Sequence, residues 1–144
     1  MTGIPARLSF VTLAVRDMPR MQRFYDQLGW PKSKFSDDTF AAYRCGGAVL
    51  GLYGAENYEK AYGAPPPAGS FRGFVLALNC RDAAEVDRTY ASMKGLDGIR
   101  LGREPQDLSF GGRGFEWRDP EDNVWEVTWA EGTSFDEREA LIFP

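Results

Sequence analysis

Glu126 is the side chain whose placement most invites chemistry. It stands inside Val124-Trp125-Glu126-Val127-Thr128-Trp129, a run of β-branched and aromatic residues that reads as a strand. A carboxylate among apolar strand residues is costly to bury unless a donor, cation, metal or water pairs with it. Three readings follow: a ligand-binding group, a general acid or base, or a relic carboxylate paired to an arginine or water. The chain contains no histidine. That removes Ser-His-Asp and Cys-His nucleophile systems and the commonest ligand for transition metals. Cys45 and Cys80 are the only cysteines and form no metal-like spacing, so they read as small buried hydrophobes. Arg113 and Arg118 read as surface ion-pair residues. Gly111-Gly112 reads as a turn, because no strand-to-helix phosphate loop surrounds it.

Glu126 is positioned by the turn before it. In Asp119-Pro120-Glu121-Asp122-Asn123, Pro120 pre-sets φ for a central turn position and polar residues follow. Upstream, Leu8–Val15 reads as a strand and Asp17 as the cap of a helix from about Met18 to Leu28. That helix places Met21, Phe24, Tyr25 and Leu28 on one side, and Gly29 ends it. Short strands are expected near Lys34–Phe35, Thr39–Arg44 and Ala48–Tyr53, with Gly46-Gly47 as a hairpin turn. Residues 55–70 read as a linker stiffened by Pro65-Pro66-Pro67. The pattern then restarts: a strand over Phe74–Cys80, a helix capped by Asp82, and strands over 98–104, 112–118 and 123–130. Asp17 and Asp82 stand 65 residues apart, and FVTLAVRD lines up with FVLALNCRD. Such an internal period predicts two similar half-modules, about 6–54 and 71–131, followed by a tail over 132–144.

The 144 residues suffice for a single domain with its own core. A formal net charge of −4 argues against nucleic acid as a partner. The first residues carry no basic stretch followed by a long apolar one, and no apolar run is long enough to span a bilayer. A cytoplasmic protein with reduced thiols is the expectation.

This order of elements, carried by FVTLAVRDMPRMQRFYDQLGW, FVLALNCRDAAEVDRTYASMKG and GGRGFEWRDPEDNVWEVTWAEG, resembles the vicinal oxygen chelate superfamily. That superfamily includes glyoxalase I, extradiol dioxygenases, and bleomycin- and fosfomycin-resistance proteins. The resemblance implies an α+β fold of two βαβββ modules, forming a curved mixed sheet around a cavity with helices on the outer face. It also implies a homodimer. Asp122 departs from the family's usual glycine at a turn position that wants positive φ. The family's four metal-ligand positions fall here on Phe10, Gly51, Val75 and Glu126. Three of these cannot ligate through a side chain, and one carboxylate makes a poor transition-metal site. The expectation is therefore a protein with no metal and no other cofactor.

Strand alternation assigns the cavity face. Phe10, Thr12 and Ala14 should face it from the first strand, and Val49, Gly51 and Tyr53 from the last strand of the first half. Val75, Ala77 and Asn79, then Val124, Glu126 and Thr128, should face it from the second half. Trp117 is a candidate stacking wall, although the facing of Phe115 and Trp117 stays open. The opposite parity, including Leu13, Leu50, Leu76, Leu78, Trp125 and Val127, is apolar and should pack under the helices. A mostly apolar hollow suits a small, partly aromatic organic molecule. Three functions remain open: metal-free binding of such a molecule, a lyase or isomerase using Glu126, and a non-catalytic dimerisation or interaction module whose tail reaches a partner.

Overall fold

The computed structural model describes residues 3–144. The chain runs β1 (Phe10–Val15), α1 (Met18–Asp26), β2 (Phe40–Cys45), β3 (Ala48–Gly54), α2 (Ala55–Tyr62), β4 (Leu76–Asn79) and α3 (Ala83–Met93). It continues with β5 (Arg100–Leu101), β6 (Gln106–Leu108), β7 (Gly112–Arg118), β8 (Val124–Ala130), β9 (Ser134–Phe135) and β10 (Leu141–Ile142). Among the described residues, no helix is long and apolar enough to cross a membrane.

The two halves share a plan. In the first, β1 lies parallel to β3, and β3 antiparallel to β2. In the second, β4 lies parallel to β8, and β8 antiparallel to β7. The outermost positions hold β5 and β6, both on β7. The first sheet is ordered β1-β3-β2 and the second β4-β8-β7-β5, so β1 and β4 are edge strands of separate sheets and no closed barrel forms. The expected strand at Lys34–Phe35 is a single bridge between Lys32 and Tyr43. Pairing there is short because Pro31 offers only its carbonyl, to Arg44 N, before Ser33 and Phe35 enter a turn.

Helices α1 and α3 begin as their sequences dictate. Asp17 accepts from Arg20 N at 3.0 Å and Asp82 from Glu85 N at 2.7 Å. Such caps contribute about 1 kcal/mol each. Helix α1 buries Met18, Met21, Phe24 and Tyr25, and α3 buries Val86 and Met93. Between helices and sheets lies the core, which includes Leu13, Leu50, Leu52, Trp117, Trp125 and Val127. Removing aromatic side chains of this size from water stabilises the fold by roughly 2–3 kcal/mol each.

One expectation is corrected. Residues 55–62 are α2 rather than linker. This helix buries no residue and is held locally, by the Glu56–Lys60 ion pair one turn apart and the Tyr58–Tyr62 edge contact. The tail is also folded: β9 and β10 pair into a hairpin on the body of its own chain. There Arg81 pairs with Glu139, and the Arg81 guanidinium lies 5.0 Å from the Phe135 ring centre.

Candidate functional site: an inter-sheet crevice and two unlike open faces

The Asp119–Asn123 turn holds the two halves together. Asp119 is fully buried and accepts from Glu121 N, Asn123 N, Asn123 Nδ2 and the Tyr25 hydroxyl of α1, the last at 2.7 Å. Trp125 Nε1 in turn donates to Tyr25 Oη at 2.9 Å. Glu121 caps the far end of the contact, accepting from Arg16 N and Asp17 N. Burial, the largest effect, pushes the Asp119 carboxyl up, while the donors around it pull it down. Tyr25 is pushed well above 10.0, first by burial and then by the Asp119 charge. This network is saturated with partners inside the fold and reads as structure rather than chemistry. Asp122 takes φ of 69°, the left-handed conformation its position asked for.

Glu126 lies on the face of β8 turned away from the helices. Its cross-strand neighbour on β7 is Glu116, and on its other side it meets Ala77. Both glutamates are exposed, and neither forms an ion pair among the described residues. Glu116 crosses over Gly102, where a Cβ would stand 2.7 Å from its Cγ. Two carboxylates directly opposite repel, so this open face favours a positively charged group. Glu116 was not anticipated. Counting back from Glu126 through the hairpin finds it once the Trp117–Trp125 register is known.

The matching positions of the first half look different. The Phe10 ring lies over Gly51, its Cε1 only 2.8 Å from where a Cβ would be. Phe10 stacks on Phe40 at 6.3 Å, and Phe40 meets Tyr53 edge-on at 6.2 Å. Thr12 pairs with Gly51 in the β1·β3 ladder. These four expected site residues, Phe10, Thr12, Gly51 and Tyr53, thus form one aromatic patch.

The Trp117 side chain turns into the core. Its register with Trp125 sends both indoles to the helix side, where they stack at 5.2 Å with planes 6° apart. Trp117 is completely buried and Phe115 nearly so. Thr128 is buried too, and its carbonyl accepts from Asn79 Nδ2 at 3.2 Å, which uses the Asn79 amide locally. Arg113 pairs with Asp87 and Asp107.

Between the two sheets, lined by residues of both and of the tail, lies a crevice of about 690 Å³. Its walls include Leu8, Val11, Leu76, Leu78 and the β2–β3 hairpin, together with Trp30, Trp125 and Leu141 of the tail hairpin. Val49, Val75 and Asn79 of the expected pocket line it, whereas Phe10, Thr12, Gly51, Tyr53, Glu126 and Thr128 do not. Its polar groups are Asn79, Arg44, Arg81 and Glu139. Cys45 is also on its wall, but burial pushes that thiol up to about 11, leaving it protonated at neutral pH.

The positions that the resemblance marks for metal ligands carry few donors. Phe10, Gly51 and Val75 offer no side-chain donor, the Phe10 ring fills the space beside Gly51, and no group of three Cys, Asp or Glu side chains able to hold an ion exists among the described residues.

Two parallel-edged modules, joined by a buried turn and flanked by helices on one side, define a vicinal oxygen chelate type of protein. The chain belongs to the Glyoxalase/Bleomycin resistance protein/Dioxygenase superfamily, whose family model matches residues 7–127. It superposes on a glyoxalase-related enzyme from Fulvimarina pelagi with TM-score 0.79 and 24% identity, covering 96% of this chain and 99% of that one. A lactoylglutathione lyase from Agrobacterium tumefaciens superposes with TM-score 0.68 and 22% identity, covering 87% and 94%. At such identities the likeness is one of fold. No curated protein matches the chain.

Proposed function

We infer that this protein binds a small, partly aromatic organic molecule in the apolar crevice between its halves, without a metal centre. The observation that carries the reading is the crevice itself: about 690 Å³, walled mainly by aliphatic side chains, with two tryptophans in its lining and few polar groups. A volume of that size and character suits a small organic ligand. Trp30 and Trp125 supply the readout. Titration with a planar aromatic probe should quench their emission and saturate at one equivalent, and Val75→Trp, which adds bulk to the wall, should weaken binding at least tenfold. Emission unchanged by every probe would overturn the reading.

A second reading is a lyase or isomerase using Glu126 as general acid or base, favoured by its exposed place on the open sheet face opposite a second carboxylate, Glu116. Glu126→Gln should then abolish turnover with the fold intact. A homodimer is the proposed assembly, since Phe10, Phe74 and Val75 remain half-exposed on the sheet side. Elution at the monomer mass in size-exclusion chromatography would refute it.

A further inference from the structure

The internal repeat singles out one arginine. Arg44 pairs with Val49 across the β2–β3 hairpin, as Arg118 pairs with Val124 across the β7–β8 hairpin. The two arginines occupy equivalent rows of the two halves. Arg118 lies beside a turn rich in acceptors and donates to the Asp122 carbonyl. The turn beside Arg44 is Gly46-Gly47, which offers no side-chain acceptor. No carboxylate lies within ion-pair distance of Arg44 among the described residues, and Arg44 is one of the residues lining the crevice.

A second arginine, Arg81, reaches the same crevice from the end of β4. Its partner is Glu139 of the tail hairpin, itself on the crevice wall. Glu139 is one of two non-glycine residues with positive φ among the described residues, at 63°. Its carbonyl closes against Gly46, where a Cβ would stand 2.6 Å from that oxygen. The hairpin therefore delivers a carboxylate to a crevice arginine through a backbone conformation that side chains disfavour. Both partners of that ion pair remain more than half exposed, so water and salt weaken it and another carboxylate can replace it.

We propose that the ligand of this crevice carries an anionic group, a carboxylate on an apolar or aromatic body, received by Arg44 and Arg81, with Glu139 holding Arg81 while the crevice is empty. This rests on the crevice-binding reading above. Guanidinium matches a carboxylate with two parallel hydrogen bonds, and the apolar walls below take the body. Glu139 then acts as a built-in competitor on the tail hairpin.

The test compares two probes on the full chain, 2-naphthylacetate and the neutral 2-naphthylethanol, by tryptophan emission and calorimetry. The carboxylate should bind at least fivefold tighter, and the preference should shrink as salt rises. Arg44→Gln and Arg81→Gln should each remove most of that preference and leave the neutral probe unchanged. Glu139→Gln should tighten the carboxylate three- to tenfold without affecting the alcohol. Equal binding of both probes, or Glu139→Gln weakening the carboxylate, overturns the proposal while leaving crevice binding standing. Failure of both probes to bind overturns the crevice reading as well. Circular dichroism of each variant confirms that the tail and body remain folded.

Discussion

The two halves of this molecule share a backbone plan and have been filled in opposite ways. Row by row, Ala42 and Gly51 in the first half stand where Glu116 and Glu126 stand in the second. Phe40 and Tyr53 stand where Gly114 and Thr128 do. The first face is small and aromatic, closed by the Phe10 ring over Gly51. The second is acidic and open. The hairpin turns differ as well. Gly46-Gly47 is a bare turn, whereas Asp119–Asn123 reaches across to α1 through Tyr25, Arg16 and Asp17. A repeated scaffold fixes strand direction and parity, but it leaves each half free to spend its rows on packing, charge or attachment.

If the second turn is the joint of the molecule, breaking it should have the largest effect. Asp119→Ala strands the Tyr25 hydroxyl, the Asn123 amide and two backbone N–H groups in a buried site. Loss of about 4 kcal/mol or more is expected, read as a fall in the denaturation midpoint with urea. The same joint predicts a pH limit. The unfolded Tyr25 ionises near 10.0, while the folded hydroxyl, raised by burial and by Asp119, keeps its proton. The unfolded state then binds fewer protons, so stability present below pH 10 is lost as pH rises beyond it. Tyr25→Phe should remove that component of the alkaline slope, and a slope unchanged in the variant would refute the assignment.

Glu121→Ala comes next. It removes the carboxylate that accepts from Arg16 N and Asp17 N at the entry to α1. Hydrogen bonds to a charged acceptor contribute about 1.5–3 kcal/mol, so a loss of about 2 kcal/mol is expected, with faster amide exchange concentrated in the first turn of α1. Even exchange across both halves would show that the turn is not what attaches them.

The asymmetry explains what the sequence could and could not convey. Strands β1, β7 and β8, both helix caps and the repeat were all legible, because each rests on local pattern or turn chemistry, and the left-handed Asp122 followed from the resemblance, which puts glycine there. Helix α2 was hidden because Ala55–Tyr62 has no buried stripe. Its support is an ion pair and a tyrosine pair on a surface. Trp117 could not be placed because facing depends on hairpin register, which the five-residue turn sets and alternation alone does not. Glu116 was missed for the same reason. The crevice was invisible in parity arguments, since it opens between two sheets rather than on one face, and the tail that helps line it carries only two-residue strands.

The filled face of the first half can be tested by crowding it. Gly51→Ala places a methyl 2.8 Å from Phe10 Cε1 and 3.2 Å from Thr12 Oγ1. The ring is the far end of a half-exposed side chain and can swing aside, so the expected loss is about 1 kcal/mol rather than the several of a rigid core. Adding Phe10→Ala should recover most of it, giving a measurable coupling in a double-mutant cycle. Full additivity would separate the two residues and undo the picture of a closed first face.

The smallest effect has the opposite sign. Glu116 and Glu126 face each other without a cation from the fold, and like charges directly opposite on a sheet destabilise by up to about 1 kcal/mol. Glu116→Gln should therefore stabilise the protein by about 0.5 kcal/mol in low salt, and Glu126→Gln by a similar amount, because either removes the same repulsion. The double variant should gain little beyond the single ones. Raising ionic strength should shrink all three gains, since screening at about 10 Å reaches an exposed pair. Destabilisation by either change would mean that a carboxylate has a favourable partner within the fold. The acidic face would then serve packing, as the aromatic face of the first half does, and the contrast between the halves would vanish at the very row where it is sharpest.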